Sequence, residues 1–188
     1  MSRGLGDVYK RQVPSPVSYY EEIHPFLEKK AKEFGYEVTY DRKRTGYITL
    51  EGEDNSKTVC MGAHLDTIGL IIRHITDEGH LEVRQLGGIN YSSIEGEGVT
   101  IHTRDGRKYR GMVICKSHSV HVFDDARTAP RDELHMEVIL HEDVKSKEDV
   151  MNLGIDHGDV ISIDPHFEYT PSGYVKSRFI DDKAAVAA

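Results

Sequence analysis

The sequence lacks long apolar segments. Within its 188 residues, no apolar run approaches the roughly 20 residues that a membrane-spanning helix needs. The N-terminus also lacks the uninterrupted apolar stretch of a signal peptide. These two absences argue against a membrane protein and against export, so we expect a cytoplasmic protein without a membrane partner.

Positive charge is also scarce. Lys and Arg number 24 against 32 Asp and Glu, which gives a net charge of −8 with neutral histidine. Nucleic-acid binding draws most of its affinity from basic side chains that neutralise phosphates, and the sequence has no basic stripe. We therefore expect no nucleic-acid partner.

The chain contains only two cysteines, Cys60 and Cys115, and both lie in apolar, strand-like runs. Free cysteine is among the residue types most often buried, and thiols stay reduced in the cytoplasm. The pattern therefore predicts two buried, unpaired thiols. By contrast, the 11 histidines are many for this length, which favours metal chemistry without locating it.

The first half of the chain reads as one helix followed by strands. A capping box at residues 18–21 predicts a helix from Ser18, and Gly35 is placed to end it at the C′ position. Strands are predicted at residues 37–40, 46–50, 58–63 and 68–75. The run at 58–63 is nearly all apolar, which is typical of a central strand covered on both faces.

Residues 76–165 change character, because short β runs there alternate with turn residues around one short helix. Ser146 caps this helix and Gly154 closes it. The pattern predicts a small β-barrel or sandwich module inserted into an α/β domain. The predicted division is therefore a first part of the α/β domain at 13–75, the insert at 76–165, and a second part at 166–188. Residues 1–12 resemble translated adapter sequence, and we expect them to be a foreign leader.

Two short segments have the residue types of a metal site. The first is Gly-Ala-His-Leu-Asp-Thr-Ile-Gly at 62–69, directly after the predicted buried strand. His64 there occupies the carboxyl end of a strand, where open α/β sheets bind ligands, and Asp66 can accept the second imidazole N–H. A structural loop histidine with a capping aspartate fits the same spacing.

The second segment is Ser-Arg-Phe-Ile-Asp-Asp-Lys at 177–183. Asp181 and Asp182 follow a predicted strand and open a predicted helix. A carboxylate in this position can bridge two divalent cations. An ordinary acidic pair favoured by the helix dipole is the alternative.

Five elements in this order resemble the M42 metallo-aminopeptidases of the glutamyl or deblocking type, from about Val13 to Ala188. They are Val-Pro-Ser-Pro at 13–16, His-Leu-Asp-Thr-Ile-Gly at 64–69, Leu-Gly-Gly at 86–88, Leu-Gly-Ile-Asp-His-Gly-Asp at 153–159 and Phe-Ile-Asp-Asp-Lys at 179–183. The resemblance implies an α/β metallopeptidase sandwich with an inserted barrel-like dimerisation domain. It also implies two divalent ions, Zn or Co, peptide substrates, and a homo-oligomer formed through the insert.

Carried over residue by residue, the resemblance implies His64 and Asp181 as metal ligands, with Asp181 bridging. It implies Asp66 as the partner of the catalytic machinery and Asp182 as the neighbour joined to Asp181 by a cis peptide. The family site also needs an adjacent Glu pair, a further Asp and a later His. Because these have no counterpart in the present sequence, we expect a fragment that is inactive alone.

Two other interpretations stay open. The chain can be a non-catalytic assembly module that oligomerises through its β insert. It can also belong to a related two-metal deacylase, since the His-x-Asp and Asp-Asp motifs are shared with such enzymes. A glycosidase is disfavoured, because no pair of carboxylates stands out as flanking a scissile bond.

Overall fold

The computed structural model describes residues 13–187, so the predicted foreign leader lies outside the described residues. Within this range the chain forms three α-helices and ten strands. The helices are α1 (Ile23–Glu33), α2 (Lys147–Asn152) and α3 (Ile180–Ala187). The strands are β1 (Thr39–Tyr40), β2 (Gly46–Tyr47), β3 (Gly69–Ile75), β4 (Leu81–Leu86), β5 (Gly98–His102), β6 (Lys108–Cys115), β7 (Met136–Leu140), β8 (Val160–Ile163), β9 (Glu168–Tyr169) and β10 (Val175–Lys176).

Six of these strands close into a barrel in the order β3-β4-β7-β6-β5-β8. Every neighbouring pair is antiparallel. The predicted β-rich insert in an α/β fold is thereby confirmed as a closed barrel, which leaves no open sheet edge. Strand β3 is part of the barrel, although it precedes residue 76. The domain boundaries themselves stay a prediction.

The main core fills the interior of this barrel. Alternate residues of its strands point inward, as the period of two along a strand requires. Leu70, Leu81, Val99, Ile101 and Ile161 are among the side chains with no solvent exposure. Helix α2 covers one end through Val150, and Ser146 Oγ accepts a hydrogen bond from the Asp149 amide, as predicted for its cap.

Helix α1 begins five residues later than predicted. Ser18 has a φ of 71° and lies in a turn closed by the Tyr19 amide, so it cannot cap a helix. Glu22 occupies the N-cap position without a capping hydrogen bond, because its carboxylate contacts the barrel residue Lys108 at 2.7 Å. The predicted end is confirmed, since Gly35 follows the C-cap with a φ of 84°.

The predicted central strand at 58–63 is wrong. These residues form no regular element, and Val59 and Met61 are 88% and 92% exposed. Within residues 13–187 no strand pairs with this segment and no layer covers its faces, so its apolar pattern has nothing to pack against. Cys60 is exposed with it, whereas Cys115 is buried as predicted.

None of the helices within residues 13–187 combines the length and the apolarity needed to cross a membrane.

We predict that Leu70→Ala lowers the free energy of unfolding by about 3 kcal/mol, because a fully buried leucine leaves a cavity when it is truncated. Leu50, which is 64% exposed, supplies a control of the same residue type, and Leu50→Ala should change stability by less than about 0.5 kcal/mol. Urea denaturation measures both values. Equal losses in the two variants would contradict the barrel interior as the main core.

Candidate metal centre

The centre of interest is the contact between His64 and Asp181. His64 Nε2 lies 3.1 Å from Asp181 Oδ1, although the two residues are 117 positions apart in the sequence. Their side chains are 51% and 93% exposed, so solvent reaches both. His64 sits in an irregular segment instead of ending a strand, and Asp181 lies in the first turn of α3.

The N-terminal segment, residues 13–17, anchors the chain on both sides of this contact. On the His64 side, Ser15 Oγ donates to the Leu65 carbonyl at 2.6 Å, and the Thr67 amide donates to the Ser15 carbonyl at 2.8 Å. On the Asp181 side, Lys183 Nζ donates to the Val13 carbonyl at 2.8 Å. Two distant stretches of chain are thus held by residues 13–17, which we call the backbone strip.

Gly69 allows this strip to approach the barrel. Pro16 forms a parallel bridge with Thr67, two residues before Gly69. A Cβ on Gly69 would lie 2.7 Å from Pro16 Cβ and 2.9 Å from the Ile161 carbonyl oxygen. Both distances are too short for real atoms, so a larger residue would push the strip away from the barrel.

Asp66 contacts the other nitrogen of the His64 ring, Nδ1. His64 Nδ1 lies 3.1 Å from the Asp66 carbonyl oxygen and 3.3 Å from its carboxylate Oδ1. Desolvation by itself lowers the pKa of His64. The acceptors supplied by Asp66 and Asp181 outweigh it, however, so the pKa stands above its ordinary value. The ring is therefore oriented by acceptors on both nitrogens.

The peptide bond between Asp181 and Asp182 is cis, as the resemblance implied. Both residues have non-helical backbone angles, with ψ values of 111° and 22°, so the regular turns of α3 begin after them. Asp182 adjoins the His64–Asp181 contact. The hydrogen bonds found for His64 within residues 13–187 go to Asp66 and Asp181 alone.

The chemical types of these donors fit zinc or cobalt, which bind imidazole nitrogen and carboxylate oxygen. Their number is smaller than a closed site requires. Within the described part of the chain, no group of three or more His, Cys, Asp or Glu side chains is arranged to hold a metal ion. The described residues therefore bring together two side chains of suitable type, His64 and Asp181, and Asp66 as a partner of the His64 ring.

Sequence reasoning assigned no purpose to Lys183, which the structure places beside this centre. Its side chain is almost fully buried, and desolvation lowers its pKa to about 8. One signal was available in the sequence. A cation in the first turn of a helix opposes the helix dipole, so such a lysine needs another reason to be there.

We predict that Asp181→Asn lowers the pKa of His64 in the metal-free protein, because a carboxylate acceptor that favours the imidazolium is removed. The measurement is an NMR titration of the His64 ring in the presence of a chelator. Asp182→Asn is the matched control and should leave the His64 titration in place. A His64 pKa that moves equally in both variants would contradict the contact.

Comparisons with known proteins place this geometry in context. Residues 45–188 match the model of the M42 glutamyl aminopeptidase family. The protein YhfE of Bacillus subtilis (strain 168) is 40% identical over 175 residues, which cover 93% of this chain and 51% of YhfE. The chain thus spans about half the length of this relative.

Two solved structures share the fold. An aminopeptidase from the archaeon Desulfurococcus kamchatkensis superposes with a TM-score of 0.84 at 26% identity, over 98% of this chain and 49% of its own. The TET1 peptidase of Pyrococcus horikoshii, described as assembling into a tetrahedron or a large octahedral shell, gives a TM-score of 0.81 at 26% identity, over 97% and 53%. The family match and the identity to YhfE together show that the chain belongs to the M42 glutamyl aminopeptidase family.

Proposed function

We propose that this chain is part of a metal-dependent aminopeptidase, which releases N-terminal residues from peptides. The observation that carries the proposal is the 3.1 Å contact between His64 Nε2 and Asp181 Oδ1, at a place where both side chains meet solvent. A buried structural pair would not need this exposure, whereas a site for a peptide substrate does. Family membership supports the peptidase activity.

In this proposal His64 and Asp181 would be among the ligands of two divalent ions, zinc or cobalt. Bound ions of this kind lower the pKa of a coordinated water and polarise a carbonyl group. The Asp66 carbonyl oxygen accepts the Nδ1 proton of His64, which would leave the Nε2 lone pair free to bind a metal ion. Asp182, joined to Asp181 by the cis peptide, would lie next to this ligand without binding a metal ion itself.

The residues that would complete the site have no counterpart in this chain. The one adjacent glutamate pair, Glu21 and Glu22, does not supply them. Glu22 is bound to Lys108 at 2.7 Å and accepts a hydrogen bond from Tyr19 at 2.9 Å, and its contacts are with α1 and the barrel. We infer that the chain of 188 residues has no general base and is inactive alone.

The barrel supplies the second part of the proposal, which is assembly with further copies of the chain. The Pyrococcus horikoshii relative is described as forming closed shells. On this chain, Val120, Val122 and Leu134 are exposed apolar side chains in the turn-rich segment between β6 and β7. We infer that these side chains contact another copy of the chain, since protein interfaces are commonly marked by exposed apolar patches.

We predict that the chain of 188 residues does not hydrolyse amino-acyl chromogenic substrates when Co²⁺ is added, because two ligands do not close a two-metal site. Release of the chromophore is followed by absorbance, with an active family member as the positive control. If this chain hydrolyses the substrate and a chelator abolishes the hydrolysis, the prediction of inactivity is wrong, and the metal site is supported.

We also predict that His64→Ala and Asp181→Asn each weaken Zn²⁺ binding by at least about ten-fold, because each variant removes one of the two donors. Isothermal titration calorimetry measures the affinity. Asp124→Asn, at an exposed aspartate between β6 and β7, is the control and should bind as the unaltered chain does. Unchanged affinity in both site variants would refute the assignment of these ligands.

A further inference from the structure

A cavity of about 150 Å³ lies between the N-terminal segment, strands β5 and β8, and the start of α3. It is much larger than the roughly 15 Å³ that one water molecule requires. Polar groups line a large part of it, among them the side chains of Thr67, Thr100, Ser162, Asp164 and Lys183. A cavity of this size and polarity can hold a small hydrated or charged guest.

Lys183 brings a buried positive charge to this cavity. Its side chain is only 4% exposed, and its Nζ donates one hydrogen bond, to the Val13 carbonyl at 2.8 Å. An ammonium group has three N–H donors, and within residues 13–187 the Val13 carbonyl is the acceptor found for one of them. Among residues 13–187, no carboxylate oxygen lies within 4.0 Å of Lys183 Nζ.

The one carboxylate in the cavity lining does not offset this charge. Asp164 is held by Arg110, whose Nη1 lies 2.8 Å from Asp164 Oδ1 and whose Nη2 binds the other oxygen. Such a two-point pair neutralises both partners. The charge of the lining is therefore the single positive charge of Lys183. A buried ammonium without a counter-charge nearby costs free energy, so a negative charge beside it would stabilise the fold.

Hydroxyl groups add further donors. Thr100 Oγ1 accepts from Arg110 Nη1 at 2.6 Å, so its own proton is directed away from that guanidinium. Thr67 is 6% exposed and lines the same cavity. The cavity lining thus combines the ammonium group of Lys183 with the side chains of Thr67 and Thr100.

We propose that this cavity binds one small monovalent anion, a halide or a small carboxylate, as the counter-ion of Lys183. The volume excludes large anions, and the single net charge of the lining favours one negative charge. A bound anion connects α3 to the N-terminal segment and the barrel, so its occupancy stabilises the folded chain. The site uses neither the His64 ring nor the Asp181 carboxylate, and so goes beyond the proposed peptidase function.

The first experiment uses the unaltered chain in a chelator, so that metal binding plays no part. Its melting temperature is measured in sodium bromide, sodium acetate and sodium gluconate at equal ionic strength. We expect the melting temperature to rise by roughly 3–5 °C for each ten-fold increase of a binding anion above its Kd. Gluconate, which is too large for the cavity, should give no such rise. Identical curves in all three salts overturn the proposal.

Crystals grown in bromide then locate the anion. An anomalous peak beside Lys183 Nζ inside the cavity supports the proposal, and crystals without a peak there overturn it. Excess acetate distinguishes the two kinds of occupant. Loss of the bromide peak identifies a small carboxylate as the preferred anion, and its persistence identifies a halide.

A pair of variants assigns the effect to Lys183. Lys183→Met removes the charge and keeps the length of the side chain, so the anion dependence of the melting temperature should be lost. Lys43→Met, at an exposed lysine in the β1–β2 turn, is the control and should keep the full dependence. Dependence retained in Lys183→Met overturns the proposal. If that variant does not fold, the bromide peak in the unaltered chain decides.

Discussion

The candidate centre depends on the backbone strip at residues 13–17. This strip binds the segment after His64 through Ser15 and the helix after Asp181 through Val13. The two donors come from distant parts of the sequence, and each is exposed and held by few contacts of its own. The hydrogen bonds of the strip therefore hold together the two chain segments on which His64 and Asp181 lie.

The barrel gives this strip a rigid surface to pack on. Closure of six antiparallel strands satisfies their backbone groups and fills the interior with aliphatic side chains. Pro16 reaches the barrel at Gly69, the first residue of β3, where the absence of a side chain allows the contact. The barrel thus supports the strip that holds the segments of His64 and Asp181.

Charge is distributed unevenly around the centre. Asp66 and Asp181 supply acceptors to His64, and their effect on its pKa is larger than the opposing effect of desolvation, so the pKa is raised. Lys183, two residues after Asp181, is buried, and its hydrogen-bond partner is the Val13 carbonyl oxygen. The exposed side of the centre therefore carries the imidazole and carboxylate groups, and the buried side carries a cation. Burial of the Lys183 ammonium group without a counter-charge costs free energy, and a bound anion would lower this cost.

The sequence by itself predicted the β-rich character of the barrel, because alternating apolar residues and turn chemistry are local properties, and the strand predicted at residues 68–75 is β3, Gly69–Ile75. It also singled out His64 and Asp181 through ordered motifs. Only the tertiary structure decided that residues 58–63 stay exposed, that Ser18 lies in a turn, and that Lys183 is buried. Each of these outcomes depends on whether a distant segment supplies a packing surface or a hydrogen-bond acceptor, which local patterns do not encode.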